Sequence, residues 1–95
     1  FLAAQAVLAV EASGAKPGQD VLVLSTGCGK PGLDEVRSGK MLSTMNNGPV
    51  NEAKHSAEVV LKVLAGDRNI PKWVKTPASV VTKATVDQAV ENCTY

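Results

Sequence analysis

The residues whose spacing most suggests chemistry form the glycine-rich segment Gly27–Gly32, which spells G-x-G-x-x-G directly after the apolar run 21–24. This is the pattern of a dinucleotide-binding loop. Only about six residues of predicted helix follow before Gly39, which is short for a βαβ crossover. In addition, the acidic residue that would hold a ribose hydroxyl about 20 positions further on is missing, because the second predicted strand ends in Asn46–Asn47 and the nearest acid, Glu52, lies inside the helix 50–64. A nucleotide-dependent α/β enzyme domain therefore stays only as an alternative interpretation.

The cysteines and the single histidine offer little further chemistry. Cys28 and Cys93 are too far apart in sequence for a C-x-x-C redox or zinc motif, and the sequence leaves open whether they are bridged or free. Cys28 and His55 would make a thiolate and its base only with a third, orienting group, which no pattern suggests. Trp73 would either stack on a sugar ring or pack against a helix. We therefore predict no catalytic residue, no metal site and no cofactor.

The elements that must position these residues alternate between helix and strand. Predicted helices cover 1–13, 33–38, 50–64 and the residues from Thr85 onward, and predicted strands cover 21–24, 41–45 and 79–82. The run 21–24 is continuously apolar, which is typical of a strand buried on both faces. The helix 50–64 carries an apolar stripe of 3.6-residue period, and the spacing of Thr85 and Gln88 fits a capping box. This order predicts an α/β fold with a mostly parallel sheet flanked by helices.

Composition and charge exclude several classes of partner. The chain has 95 residues with 10 basic and 9 acidic side chains, and no stripe of Lys or Arg that would neutralise a run of phosphates. Nucleic acid is therefore not an expected partner. The most apolar window, 1–15, is interrupted by Gln5 and Glu11 and is not expected to span a membrane. Its apolar, helix-like start at Phe1 has no capping residue, and we expect a fragment of a longer protein.

An ordered set of short stretches carries a resemblance. The stretches are Val21–Gly27, Leu33–Met41, Thr44–Pro49, Leu64–Gly66 and Val80–Lys83. Together they resemble the C-terminal portion of the type I periplasmic sugar-binding proteins. The resemblance implies part of a Rossmann-like lobe in a two-lobed, non-enzymatic receptor. Such a receptor would bind a sugar or polyol outside the cytoplasm, in the periplasm or an equivalent compartment, and deliver it to the membrane subunits of an ABC importer.

A second interpretation within the same fold is the effector-binding domain of a sugar-responsive transcription regulator. The region 41–47 lacks the proline-leucine-threonine-threonine run typical of those regulators, so the receptor is favoured. The resemblance also implies a division of the chain. Residues 1–82 would belong to the C-terminal ligand-binding lobe, and residues 83–95 would form the hinge exit and a terminal helix that packs on the other lobe.

The binding residues are expected where strands end. In open α/β sheets, ligands bind beyond the carboxyl ends of the strands, which here means residues 25–30 and 46–48. The resemblance implies that Asn47 supplies an amide to a sugar hydroxyl. The predicted ligand-binding residues are Thr26, Gly27, Cys28, Asn46 and Asn47. Many family members carry an aspartate where this chain has Gly27–Cys28, which puts an ordinary hexose or pentose in doubt, and Lys30 would favour an acidic ligand.

Overall fold

The computed structural model describes residues 2–90 and Cys93 as four helices and two strands. The helices are α1 (Leu2–Ala12), α2 (Lys30–Ser38), α3 (Pro49–Leu64) and α4 (Val86–Ala89), and the strands are β1 (Ser43–Asn46) and β2 (Ser79–Thr82). Pro31 is tolerated in the first turn of α2, where backbone N–H groups lack helical acceptors, so this helix begins three residues earlier than predicted. Gly39 ends α2 in the left-handed conformation.

The sheet differs from the predicted one. β1 and β2 form an antiparallel ladder in which Thr44 lies opposite Val81, and both side chains are buried. Residues 23–27 run parallel to β1, held by hydrogen bonds from the N–H of Ser25 to the carbonyl of Ser43 (3.1 Å) and from that of Gly27 to the carbonyl of Met45 (2.9 Å). The described sheet is therefore mixed, with a parallel pair as predicted between residues 23–27 and β1, and an antiparallel pair where β2 returns along β1 in the opposite direction.

The run 21–24 is not buried on both faces. Val23 points into the core, whereas Leu22 and Leu24 are 57% and 64% exposed. The expectation of two covered faces was wrong for this chain because α1 and α2 cover one side of the strand, and no described element covers the other. The same holds for α1, which was expected to be covered nearly all round but buries Val7 alone.

One core gathers residues from both ends of the described chain. Its members are Val7, Val23, Cys28, Leu33, Val36, Met41, Val81, Val86, Ala89 and Cys93. Thr44 is the buried polar residue among them, and its hydroxyl donates to the carbonyl of Gly27. The core therefore joins α1, α2 and the sheet to the terminal segment.

The described part of the terminal segment packs on this same core, and the packing of residues 83–95 on another lobe stays a prediction. Val86 and Ala89 of α4 are buried with α2, and the guanidinium of Arg37 on α2 reaches the Asp87 carboxylate at 3.0 Å. The predicted capping box is wrong. The Thr85 hydroxyl accepts a hydrogen bond from the N–H of Thr82 (3.1 Å) instead of capping α4. Residues 91, 92, 94 and 95 of the predicted segment lie outside the described residues.

It is α3 that lies outside the core. The helix has the predicted bounds almost to the residue, yet none of its side chains is buried. Val50, Val60, Leu61 and Leu64 of its apolar stripe are each more than half exposed. The Cα radius of gyration is 17.0 Å, against roughly 12 Å for a compact domain of this length, and the longest extent is 58 Å. No helix in the described part is long and apolar enough to cross a bilayer.

Candidate functional site

The predicted binding residues meet at one edge of the sheet. The loop 25–29 begins within the parallel segment 23–27, and the turn 46–48 begins at the last residue of β1. Gly27 connects the two, because its N–H donates to Met45 and its carbonyl accepts from the Thr44 hydroxyl. The structure therefore brings the loop that carries Thr26, Gly27 and Cys28 alongside the strand that ends in Asn46.

Asn46 is oriented by its own turn. Its Oδ1 accepts a hydrogen bond from the N–H of Gly48 at 2.7 Å, and Gly48 adopts a left-handed φ of 58°. This contact assigns the carbonyl end of the amide, so Nδ2 is the end that stays free to donate. No described residue accepts a hydrogen bond from it. Asn46 is half-buried and thus offers a fixed donor at the edge.

Asn47 has a different environment. Its side chain is half-buried and makes no hydrogen bond to any described residue. A carboxamide carries two donors and an acceptor with two lone pairs, so both of its polar atoms are available to a ligand. The exposed hydroxyl of Thr26 is likewise unpaired among the described residues. Their neutral donors and acceptors suit hydroxyl-rich solutes.

The side chain of Cys28 points into the core, which leaves the backbone of this residue as its possible ligand contact. Cys28 forms a disulfide with Cys93, their Cα atoms are 5.2 Å apart, and each residue is 1% exposed. A disulfide sulfur has no proton to donate, so the 3.3 Å separation between Cys28 Sγ and Asn46 Oδ1 is a packing contact. The disulfide also removes any thiolate for His55, which lies on α3 with Nδ1 3.6 Å from Glu58 Oε2.

The glycine loop 25–29 offers a ligand its backbone groups and open space, and it carries no charged side chain. Gly27 adopts a φ of 90°, and a Cβ added there would meet no atom within 4 Å. Lys30 Nζ contacts Asp34 Oδ2 at 2.6 Å, and this hydrogen bond is the main cause that holds the pKa of Asp34 below its usual value. Lys30 is therefore already paired, which weakens its expected attraction for an acidic ligand.

A cavity beside Asn46 contains residues that the sequence did not indicate. It has a volume of about 260 Å³, and Ser79, Thr85 and Gln88 add polar groups to its lining. Ser79 reaches Asn46 because the two are paired in the antiparallel register. No local pattern specifies that pairing, so these residues could not have been found from the sequence.

Trp73 is not packed against a helix. It is 77% exposed, and the Lys75 ammonium lies 5.4 Å from its ring centroid. Within residues 2–90 and Cys93, no group of three His, Cys, Asp or Glu side chains is placed to hold a metal ion. At the strand edge itself, the side chains of Thr26, Asn46 and Asn47 offer a hydroxyl and two amides, which fit reversible binding.

No protein-family model matches this chain, and no curated protein sequence matches it significantly. Solved structures do. A Mycobacterium smegmatis protein in complex with β-D-fucofuranose is 28% identical over 92% of this chain, with a TM-score of 0.73. An ABC transporter solute-binding protein from Agrobacterium vitis with bound D-fucose is 20% identical over 98% of this chain, with a TM-score of 0.77.

A third match is the periplasmic binding protein component of the arabinose ABC transporter from Shewanella sp. ANA-3, bound to α- and β-L-arabinofuranose. It is 24% identical over 90% of this chain, with a TM-score of 0.72. This chain spans 28%, 31% and 28% of the three matched chains, respectively. The second and third of these neighbours are solute-binding components of ABC transporters, and the first is a sugar complex. The resemblance inferred from the sequence is confirmed, and the chain has, in part, the α/β fold of the type I periplasmic sugar-binding proteins.

Proposed function

We propose that this chain forms part of a receptor that binds a sugar or polyol outside the cytoplasm and delivers it to the membrane subunits of an ABC importer. The observation that carries the proposal is the strand edge at which the unpaired amide of Asn47 stands next to the oriented amide of Asn46. The solved neighbours with bound fucose, fucofuranose and arabinofuranose support a sugar as the solute.

The proposed ligand contacts are the side chains of Thr26, Asn46 and Asn47 and the backbone of the loop at Gly27 and Cys28. Amides and hydroxyls can each donate and accept, which suits the paired donor and acceptor character of sugar hydroxyls. The loop carries no carboxylate, so the ligand would be held there by the Thr26 hydroxyl and backbone groups.

The proposed lobe division follows the packing and revises the one expected from the sequence. Residues 2–46 and 79–93 would belong to one lobe, because they contain every described core residue. The exposed helix α3 and the segment after it, 67–77, would pack on the other lobe. The chain would then cross between lobes at residues 47–48 and again near residue 78, which places Asn47 at a crossing point beside the ligand.

The proposed extracytoplasmic location is supported by the disulfide. Disulfides form and persist in oxidising compartments and are rare in the cytosol. Cys28 and Cys93 lie 65 positions apart, so their pairing depends on the folded structure. This agrees with the use of the fold by the periplasmic component from Shewanella.

The function is tested by calorimetric titration of the full-length protein with L-arabinose, D-fucose, D-galactose, D-ribose and a polyol such as ribitol. We expect micromolar or tighter binding of at least one of them. The 95-residue chain alone is expected to bind the same ligand at least tenfold more weakly, because a two-lobed site loses its other half. Absence of binding across the panel by the full-length protein would contradict the proposed function.

A further inference from the structure

The Cys28–Cys93 disulfide joins the glycine loop to the terminal segment directly beneath the candidate site. Cys28 lies two residues before α2, and Cys93 follows α4. Both residues are buried in the core, with 1% of their surface exposed. The bond therefore lies beside the binding edge and is shielded from solvent.

The loop is fixed at two consecutive residues by different means. Gly27 is hydrogen-bonded through both its N–H and its carbonyl to β1, and Cys28 is bonded covalently to Cys93. Thr26 is the exposed residue immediately before this fixed pair. The position of the Thr26 hydroxyl over the edge thus depends on both attachments.

The same sulfur limits the rotation of the Asn46 amide. Asn46 Oδ1 accepts from the Gly48 N–H at 2.7 Å and lies 3.3 Å from Cys28 Sγ. Because the sulfur is not a donor, its contact with Oδ1 is steric and is not a hydrogen bond. Both contacts are made by Oδ1, so the oxygen end of the amide is held and Nδ2 is kept pointing in one direction.

We propose that Cys28 and Cys93 are positioning residues of the solute site, which hold the Asn46 amide and the loop at Thr26 in the geometry that binds the ligand. The inference rests on the proposed solute-binding function and names a determinant of that site. Contacts other than the disulfide also hold α4 to the core, because Val86 and Ala89 are buried against α2 and Arg37 pairs with Asp87. Removing the disulfide also removes the contact between Cys28 Sγ and Asn46 Oδ1, and no other described residue replaces it.

The test uses two disulfide-free forms of the full-length protein, Cys28→Ser with Cys93→Ser, and Cys28→Ala with Cys93→Val. The second pair fills the vacated volume with apolar groups, so that one form folds if buried hydroxyls unfold the other. We expect sugar affinity to fall about tenfold, which corresponds to the loss of one well-placed hydrogen bond. Because the hydroxyl of Cys28→Ser can donate to Asn46 Oδ1, the alanine–valine form decides the matter, and wild-type affinity in that folded form overturns the proposal.

The matched control is Val86→Ala, which weakens the same core away from the loop. It is expected to lower the melting temperature while leaving the dissociation constant unchanged. An equal loss of affinity in Val86→Ala would show that the disulfide acts only through stability, and would overturn the positioning role. In the oxidised protein, Asn46→Ala is expected to lose affinity about tenfold, and an unchanged dissociation constant there also overturns it.

A ligand-free measurement separates this proposal from the proposed function. Hydrogen exchange of the Gly48 amide reports its bond to Asn46 Oδ1, whether or not the right sugar is known. We expect faster exchange at Gly48 in the disulfide-free forms and unchanged exchange in Val86→Ala. If the oxidised protein binds no sugar, the function fails, but Gly48 exchange still decides whether the disulfide orients Asn46. Unchanged exchange in the disulfide-free forms overturns the proposal.

Discussion

The two neighbouring asparagines at the end of β1 have different tasks. The side-chain oxygen of Asn46 accepts a hydrogen bond from the N–H of Gly48 and so holds the turn, whereas the side chain of Asn47 makes no hydrogen bond to any described residue. A half-buried amide without a protein partner leaves hydrogen-bonding capacity for a ligand. Of the two side chains, Asn47 is therefore the one whose loss should affect binding without first disturbing the fold.

For Asn47→Ala in the full-length protein, we expect sugar affinity to fall by about 1 to 3 kcal/mol, because polar ligand groups would lose their partner. This corresponds to roughly 5- to 140-fold in the dissociation constant, measured by calorimetry. Gln19→Ala is the matched control, since Gln19 is an exposed amide in the turn after α1, outside the segments assigned to the other lobe, and should leave binding unchanged. An unaltered dissociation constant for Asn47→Ala would remove this residue from the site.

At the residue scale, the sequence located the edge but not its internal bonds. Asn46, Asn47 and the glycine loop were expected together because each follows a predicted strand, and strand ends meet at one edge. The bond between Cys28 and Cys93 could not be derived, since pairing requires their Cα atoms to approach within bonding range. That approach depends on the return of β2 and α4 to the first half of the chain.

At the scale of elements, local signals predicted helices better than strands. The 3.6-residue period of α3 and the glycines after α2 and α3 are encoded within a few residues, and the observed bounds follow them. The antiparallel direction of β2 is not encoded in this way, because it depends on a distant partner. For the same reason, the capping spacing of Thr85 was misleading, since its hydroxyl bonds Thr82.

The turn between α1 and the segment 23–27 packs against the end of α2, and two glycines in it form a natural comparison. Gly14 and Gly18 have nearly equal left-handed φ values of 83° and 82°. An added Cβ meets nothing within 4 Å at Gly14, whereas at Gly18 it would overlap the backbone carbonyl of Gly39. Gly18 is therefore required by close approach in addition to its dihedral angle.

We expect Gly14→Ala to lower the free energy of unfolding by about 1 to 2 kcal/mol, the usual cost of a left-handed alanine. Gly18→Ala is expected to cost about 1 to 3 kcal/mol more, because the backbone at Gly39 must move. Urea denaturation of both variants measures the difference. Equal losses would mean that the loop does not approach α2 as closely as the structure indicates.

At the scale of the whole molecule, α3 lies outside the core, which both lengthens the molecule and leaves the apolar stripe of the helix exposed. The stripe was correctly predicted from its period, but a period identifies an apolar face and not the surface that covers it. The described core takes nothing from α3, although Leu61 and Leu64 would be natural core residues. This contrast is the basis for assigning α3 to the other lobe.

Two equal truncations test that assignment, because Leu33 is 3% exposed in the core and Leu61 is 65% exposed on α3. In the 95-residue chain, Leu33→Ala should lower the free energy of unfolding by about 2 to 5 kcal/mol. Leu61→Ala should change it by less than about 0.5 kcal/mol, since it leaves no cavity and alanine favours helix. In the full-length protein, Leu61→Ala should become destabilising by about 2 kcal/mol or more if the other lobe covers the stripe. Denaturant unfolding of both variants in both lengths decides the matter, and a Leu61→Ala variant that is silent in the full-length protein would contradict the proposed lobe division.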